Sequence, residues 1–443
     1  MLSRLHSMTM LGMDPLPVEV EVDIRNGMVA FTIVGLGDTA VQEAKERVKS
    51  AIKNSGFRFP GPRITINLAP ADVRKVGPLF DLPLAVGILL ASEQIPHSDI
   101  FDHALFLGEL ALDGRLRPVS GILPVALAAK ERGVEHLFVP AENAYEAALV
   151  EGISVYAVET LSALTSHFLG DSLLSPTALQ DLVGNDAFLL SKNEDFSAIK
   201  GQESAKRALE IAAAGAHNVL MCGSPGSGKT LMARAFRGIL PSMTREESFE
   251  VSKIYSIAGL LPAKTPLITM RPFRTVHHTA SNISIVGGGK SPKPGEISLA
   301  HRGVLFLDEI AEFPSTVLEV LRQPLEDRKI TVSRASGSSE FPAHFSLIAA
   351  MNPCPCGYYN VPNSEKPCTC APMQVSKYQK RLSGTLLDRI DLYIDVSPVK
   401  FEKLAGKEDS ESSEKIAERV QKARDTQKAR FVLDFNSKCN RVN

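Results

Sequence analysis

Gly223, Ser224, Pro225, Gly226, Ser227, Gly228, Lys229 and Thr230 follow one another directly after the apolar run 219–222. This is G-x-x-x-x-G-K-T between a strand-like stretch and a helix-compatible one at 231–240, the arrangement of a phosphate-binding loop. Its glycines let backbone N–H groups turn inward around a polyphosphate, and the following helix N-terminus adds a favourable dipole. Lys229 is placed to reach the outer phosphates and the Thr230 hydroxyl to hold Mg²⁺. A chance glycine-rich turn would not carry all eight residues in this strand–loop–helix order.

A second run, residues 303–310, reads G-V-L-F-L-D-E-I. An uninterrupted apolar stretch of this length suits a strand of a parallel sheet covered on both faces. Acids at its carboxyl end fall where α/β sheets bind ligands. Asp308 then meets the metal and Glu309 polarises the attacking water. Alone, such a run is commonly a strand meeting a solvated turn; downstream of the phosphate loop it points to nucleoside triphosphate hydrolysis.

The elements that must position these groups belong to an ordinary globular chain. It has 443 residues, 44% hydrophobic and 22% charged, which suits about three domains. The net charge of −1 does not mark a nucleic-acid binder, so any basic surface must be local. No apolar run is long enough for a membrane span, and residues 1–13 lack the apolar core of a secretory signal. With only six cysteines, the expected compartment is the cytoplasm.

The pattern places residues 1–170 in a first domain, 171–195 in a linker, 196–400 in the nucleotide-binding core, and 401–443 in the start of a helical lid and a frayed tail. In the first domain, strands are expected at 18–24 and 28–34 with Asn26-Gly27 as a hairpin turn between them. A helix at 39–55, a strand at 64–68, an apolar helix at 82–91, a strand at 105–112 and a helix at 121–132 follow. Ser412-Ser413 should start a helix carrying Ile416, Val420 and Ala423 on one face, running to about Arg430.

With both nucleotide motifs in place, other segments become diagnostic: V-G-L-G-D at 34–38, N-L-A-P-A-D at 67–72, G-E-L-A-L-D-G at 108–114, R-P-F-R-T-V-H-H-T at 271–279, M-N-P-C-P-C-G at 351–357 and L-S-G-T-L-L-D-R-I-D at 382–391. The sequence resembles the ComM/YifB family of magnesium-chelatase-like AAA+ proteins over nearly its whole length. That resemblance implies an α/β fold: a Lon-protease/ribosomal-S5-like α+β domain, then an AAA+ P-loop α/β domain with a short lid. It implies ATP and Mg²⁺ bound between subunits of a homo-hexameric ring.

In that arrangement Asn352 matches the polar residue that senses the γ-phosphate. Arg389 matches the arginine given to a neighbour's ATP, a role its fixed guanidinium fork suits. A surface salt bridge to Asp388 or Asp391 is the competing reading, and Arg381 the alternative finger. The resemblance further implies an ATP-dependent DNA motor that branch-migrates recombination intermediates in transformation or repair. A magnesium-chelatase ATPase subunit and a regulatory P-loop scaffold are the rival readings. Peptidase activity is disfavoured because 77–81 lacks the serine, and 120–124 the lysine, of Lon's dyad. Family members continue past Asn443 into a lid whose arginine contacts ATP in cis, so that contact is not expected from these residues.

DNA is the expected partner, single-stranded or branched. Between 263 and 303, Lys264, Arg271, Arg274, Lys290, Lys293 and Arg302 face a single acid, Glu296, and resemble an insertion directed at the ring's pore. A hairpin at 329–341 carries Arg334. Phosphate contacts need cations but no sequence code, and a solvated lysine-rich loop is the bland alternative. His277 and His278 suit hydrogen bonding better than metal ligation. Finally, Cys354, Cys356, Cys368 and Cys370 form two C-x-C pairs that could enclose Zn²⁺; reduced structural thiols or a redox pair are the alternatives.

Overall fold

The computed structural model describes residues 2–61, 63–178, 194–289, 292–334, 337–361, 366–399 and 410–439. Most of the expected linker, residues 179–193, lies outside them. The chain forms two compact units, one of residues 1–185, 252–268 and 290–293, the other of 186–251, 269–289 and 294–443. Residues 252–268 thus belong with the first unit, although the sequence placed them in the nucleotide-binding core.

The first unit is built on a seven-stranded mixed sheet. Its strands are β1 (Leu2–Leu11), β2 (Asp14–Arg25), β3 (Phe31–Val34), β4 (Arg63–Ala69), β5 (Ala104–Phe106), β6 (His136–Pro140) and β7 (Ser154–Val158), in the order β3-β4-β2-β1-β5-β6-β7. The hairpin expected at Asn26-Gly27 is not formed. β4 inserts between β2 and β3, antiparallel to the first and parallel to the second, and β2 makes its hairpin with β1 instead. Charge alternation in residues 18–24 marked a strand correctly but carried no information about its partner. The strand expected over 105–112 ends at Phe106, and Gly108 adopts φ +159, where an added Cβ would stand a tight 3.2 Å from Leu116 and 3.3 Å from Pro140.

Helices α1 (Thr39–Asn54) and α2 (Asp81–Ala91) cover this sheet. Every residue of α2 is buried, which explains its lack of a polar face. The exception in chemistry is Asp81, fully buried, whose carboxylate accepts from Arg47 Nε at 2.6 Å and Nη2 at 3.0 Å and from the Leu110 N–H at 3.1 Å. A buried charge is tolerable only with such partners. Lys75, which the sequence did not single out, is also fully buried and donates Nζ to the Pro70 carbonyl.

The second unit holds a five-stranded parallel sheet. Its strands are β8 (Val219–Gly223), β9 (Phe273–Val276), β10 (Val304–Leu307), β13 (Ser346–Met351) and β14 (Leu392–Val396), in the order β9-β10-β13-β8-β14. β11 (Lys329–Arg334) and β12 (Gly337–Pro342) form the separate antiparallel hairpin expected at 329–341. β10 and β13 are buried along their whole length, as strands sandwiched between helices must be. Helices α3 (Glu203–Gly215) and α4 (Lys229–Phe236) bury Leu209, Met232 and Phe236 beside the sheet. The last helix, α5 (Ser413–Cys439), adds Ile416 and Val420 to the same core, as its pattern required. It runs nine residues beyond the Arg430 expected. The mixed α/β fold class is therefore as the sequence implied. Among the described residues no helix is long and apolar enough to cross a membrane.

Candidate functional site: a nucleotide cleft beside a cysteine cluster

β8 feeds the loop 223–228, and α4 leaves it. Gly223 lies so close to β14 that a Cβ would stand 2.3 Å from the Val396 carbonyl oxygen. Gly228 adopts φ +94 at the helix start, a conformation that favours glycine. The Lys229 ammonium is buried and donates to the Gly223 carbonyl at 2.8 Å, the Ser224 carbonyl at 2.9 Å and Asn352 Oδ1 at 3.3 Å. Burial lowers its pKa, and the Asp308 carboxylate opposes that shift. The Ser227 hydroxyl is buried without a hydrogen-bond partner among the described residues. An orphan donor on a loop of inward-turned glycines fits a phosphate group.

Adjacent strands supply the other side. Asp308 and Glu309 follow the buried β10, and Asn352 follows β13. The Thr230 hydroxyl donates to Asp308 Oδ2 at 2.9 Å, so a hydroxyl and a carboxylate oxygen converge as ligands of a small hard cation must. Glu309 holds φ +52, a strained conformation of the kind that collects at functional sites. Its Oε2 lies 3.7 Å from His278 Nδ1. Pro225, Gly226, Ser227, Gly228, Lys229, Thr230, Asp308, Glu309 and Asn352 all line one cleft of about 430 Å³, with Met351 and Leu231. His278, expected only to hydrogen-bond, comes beside Glu309 because β9 pairs directly with β10.

Arg389 is elsewhere. Its Nη2 forms an ion pair with Glu326, not with the Asp388 or Asp391 expected as alternatives, and its Nη1 donates to the Thr385 carbonyl. Its Nε is buried without a partner among the described residues. Arg381 donates to the Ala311 carbonyl at 2.9 Å and pairs with Glu312 at 2.7 Å. Neither lines the cleft of its own chain.

Of the residues expected to meet nucleic acid, two are engaged internally. Arg271 donates to the carbonyls of Pro241 and Arg302 at 2.6 Å each and to Glu247 at 2.9 Å. Arg274 grips Glu296 with two bonds, at 2.6 and 2.8 Å. Both guanidinium groups are thus paired with a carboxylate within the second unit, which gives each a structural role beside the expected one. Lys293 is exposed. Lys290 and the side chain of Arg334 lie outside what the structure describes.

The four cysteines come together. Sγ of Cys354, Cys356, Cys368 and Cys370 all lie within 4.8 Å of one another, with 354–356, 356–368 and 354–368 at 3.3, 3.5 and 3.7 Å. These distances exclude a disulfide, whose sulfurs stand about 2.05 Å apart. Tetrahedral zinc with bonds of about 2.3 Å requires sulfur–sulfur edges of about 3.8 Å, so the donor set fits. Amides of Thr369 and Tyr358 pull the Cys356 thiol down to about 5. Two C-x-C pairs 12 residues apart gave only partial warning of this; the fold brings the two pairs together. The cluster also abuts the phosphate loop, since a Cβ on Gly357 would meet Pro225 Cδ at 2.5 Å.

Comparison with known proteins agrees with this geometry. The family model "Magnesium chelatase, subunit ChlI" matches residues 195–404, and "Subunit ChlI of Mg-chelatase" matches 20–143. The magnesium-chelatase 38 kDa subunit of Cereibacter sphaeroides is 27% identical over 37% of this chain and 54% of its own. "Uncharacterized protein YifB" of Escherichia coli is 42% identical over 96% of this chain and 82% of its own. The "Competence protein ComM" of Haemophilus influenzae is 43% identical over 97% of this chain and 83% of its own. With the phosphate loop, the acidic strand end and Asn352 gathered on one cleft, and with this identity end to end, the chain belongs to the ComM/YifB family of magnesium-chelatase-like AAA+ ATPases.

Proposed function

We propose that the chain hydrolyses ATP as one subunit of a hexameric ring and uses turnover to move on DNA, as a helicase that branch-migrates recombination intermediates. The observation that carries the ATPase part is the convergence of Lys229, Thr230, Asp308, Glu309 and Asn352 on one cleft. Gly223 to Gly228 cradle the phosphates and Lys229 neutralises them. Thr230 and Asp308 hold Mg²⁺, which when bound supplies positive charge against the phosphoryl oxygens. Glu309 orients the attacking water, and Asn352, already bonded to Lys229, reads the γ-phosphate. Arg389, partly buried and turned from its own cleft, serves the ATP of the neighbouring protomer. Cys354, Cys356, Cys368 and Cys370 hold a structural Zn²⁺.

The DNA part is supported by a relative named for competence, by exposed Lys293 and by the hairpin β11–β12. The test is ATP hydrolysis by the purified protein with and without forked or four-way DNA. Stimulation by branched DNA is expected, and Lys229→Ala should abolish turnover; full activity in that variant would refute the site. The second reading, a magnesium-chelatase-type ATPase subunit, is favoured by the descriptions of both family models. Stimulation by porphyrin and not by DNA would select it.

A further inference from the structure

The second unit contains another cavity, of about 580 Å³, at the opposite end of its sheet. Asn218, Gly303 and Phe345, which precede β8, β10 and β13, line it, whereas the nucleotide cleft sits where those strands end. Its walls carry five permanent cations, Arg271, Arg302, Arg328, Arg424 and Lys428, against one carboxylate, Glu247. That carboxylate is already shared, 2.9 Å from Arg271 and 3.5 Å from Arg302. Arg302 is further held by Glu250 at 2.8 Å. Arg271 and Arg302 therefore form a fixed, neutralised floor.

The remaining three cations are less well matched, Glu247 acting on Arg424 without forming an ion pair with it. Among the described residues no carboxylate pairs with Arg328, Arg424 or Lys428. Arg424 gives Nη2 to the Ala213 carbonyl at 3.3 Å, but its Nε is buried with no partner among the described residues. A desolvated guanidinium N–H left unmade costs free energy that an oxyanion recovers. Arg328 is exposed at the root of the hairpin β11–β12, directly before Lys329. His344 stands 3.1 Å from Arg302 and is pushed down to about 4 by burial and by Arg328, Arg302 and His301, so it adds no charge at neutral pH.

We propose that this cavity is a second phosphate-binding site, separate from the nucleotide cleft, in which Arg328, Arg424 and Lys428 bind the phosphate of a nucleic-acid backbone or of a free polyphosphate. Its position at the hairpin root means that occupancy bears on the segment the sequence offered to DNA. The inference rests on this cavity's own charges and not on ATP hydrolysis.

The test is equilibrium dialysis of radiolabelled pyrophosphate against the full chain, with the nucleotide cleft filled by a saturating non-hydrolysable ATP analogue and Mg²⁺. Wild type should retain about one pyrophosphate per chain. The double variant Arg328→Gln/Arg424→Gln should bind it at least tenfold more weakly, about the loss of one charge-assisted contact. Arg328→Lys/Arg424→Lys should recover part of that loss. An unchanged thermal melt in the Gln variant guards against misfolding. Pyrophosphate binding that is absent in wild type, or equal in the Gln variant, overturns the proposal. Anisotropy of a labelled single strand identifies the source: parallel weakening in the Gln variant assigns a nucleic-acid backbone, and unchanged DNA affinity beside lost pyrophosphate assigns a free polyphosphate. Loss of analogue binding alone would count against the ATPase reading and leave this site standing.

Discussion

Thr230 and Asp308 stand 78 residues apart in the chain, and the hydroxyl of the first donates to the carboxylate of the second at 2.9 Å. The contact exists because β8 and β10 flank β13 in one parallel sheet, so both strand ends open on the same cleft. Glu309 follows immediately but points differently, held at φ +52. Glu309→Gln should therefore leave nucleotide affinity within about twofold while lowering turnover by about 10²-fold or more, the scale of one catalytic group. Filter binding and phosphate release measure the two separately, and equal losses in both would remove Glu309 from the water-orienting role.

Arg389 offers a test that does not depend on seeing a ring. If it serves a neighbour, Arg389→Ala lacks the finger but keeps its own phosphate loop, whereas Lys229→Ala keeps the finger and lacks the loop. Each variant alone should be inactive, and a mixture should regain a measurable fraction of wild-type ATP hydrolysis. A mixture as inactive as its components would place Arg389 in the purely structural pairing with Glu326.

The cysteine cluster predicts coupling between metal and nucleotide. The purified protein should contain about one zinc per chain by elemental analysis, and Cys356→Ser should lower that content. Because Gly357 packs on Pro225 and adopts φ +87, Gly357→Ala should weaken nucleotide binding severalfold with zinc retained. Nucleotide affinity indifferent to both changes would reduce the cluster to a local staple.

His344 sets an acid limit on stability. Its folded-state pKa is about 4 against an ordinary 6.5, lowered first by burial and then by Arg328, Arg302 and His301, with Glu247 opposing. The unfolded state therefore takes up a proton first. The neutral imidazole's full contribution is present above pH 6.5, and stability falls as the pH drops from 6.5 toward 4. Denaturant unfolding across that window should show the loss, and His344→Gln should flatten it. An identical pH slope in the variant would assign the loss to other groups, first among them His301, whose Nδ1 accepts from the His344 N–H at 3.0 Å and whose pKa burial also lowers.

By itself the sequence determined the chemistry that depends on local order. Eight consecutive residues dictate a phosphate loop, because backbone N–H groups converge only when glycines and a helix start occur in that order. The all-apolar 303–307 likewise dictated a buried strand, and the family segments placed Asn352 at a strand end. Tertiary structure alone decided which partners these elements take. Alternating charges in residues 18–24 could not reveal that β4 would intervene between β2 and β3. A count of cations could not reveal that Arg271 and Arg274 pair with Glu247 and Glu296 while Arg424 keeps an N–H without a partner among the described residues. Hydrophobic periodicity records which face of an element is buried; the pairing of charges across distant elements is fixed only when strand order brings them within hydrogen-bond reach.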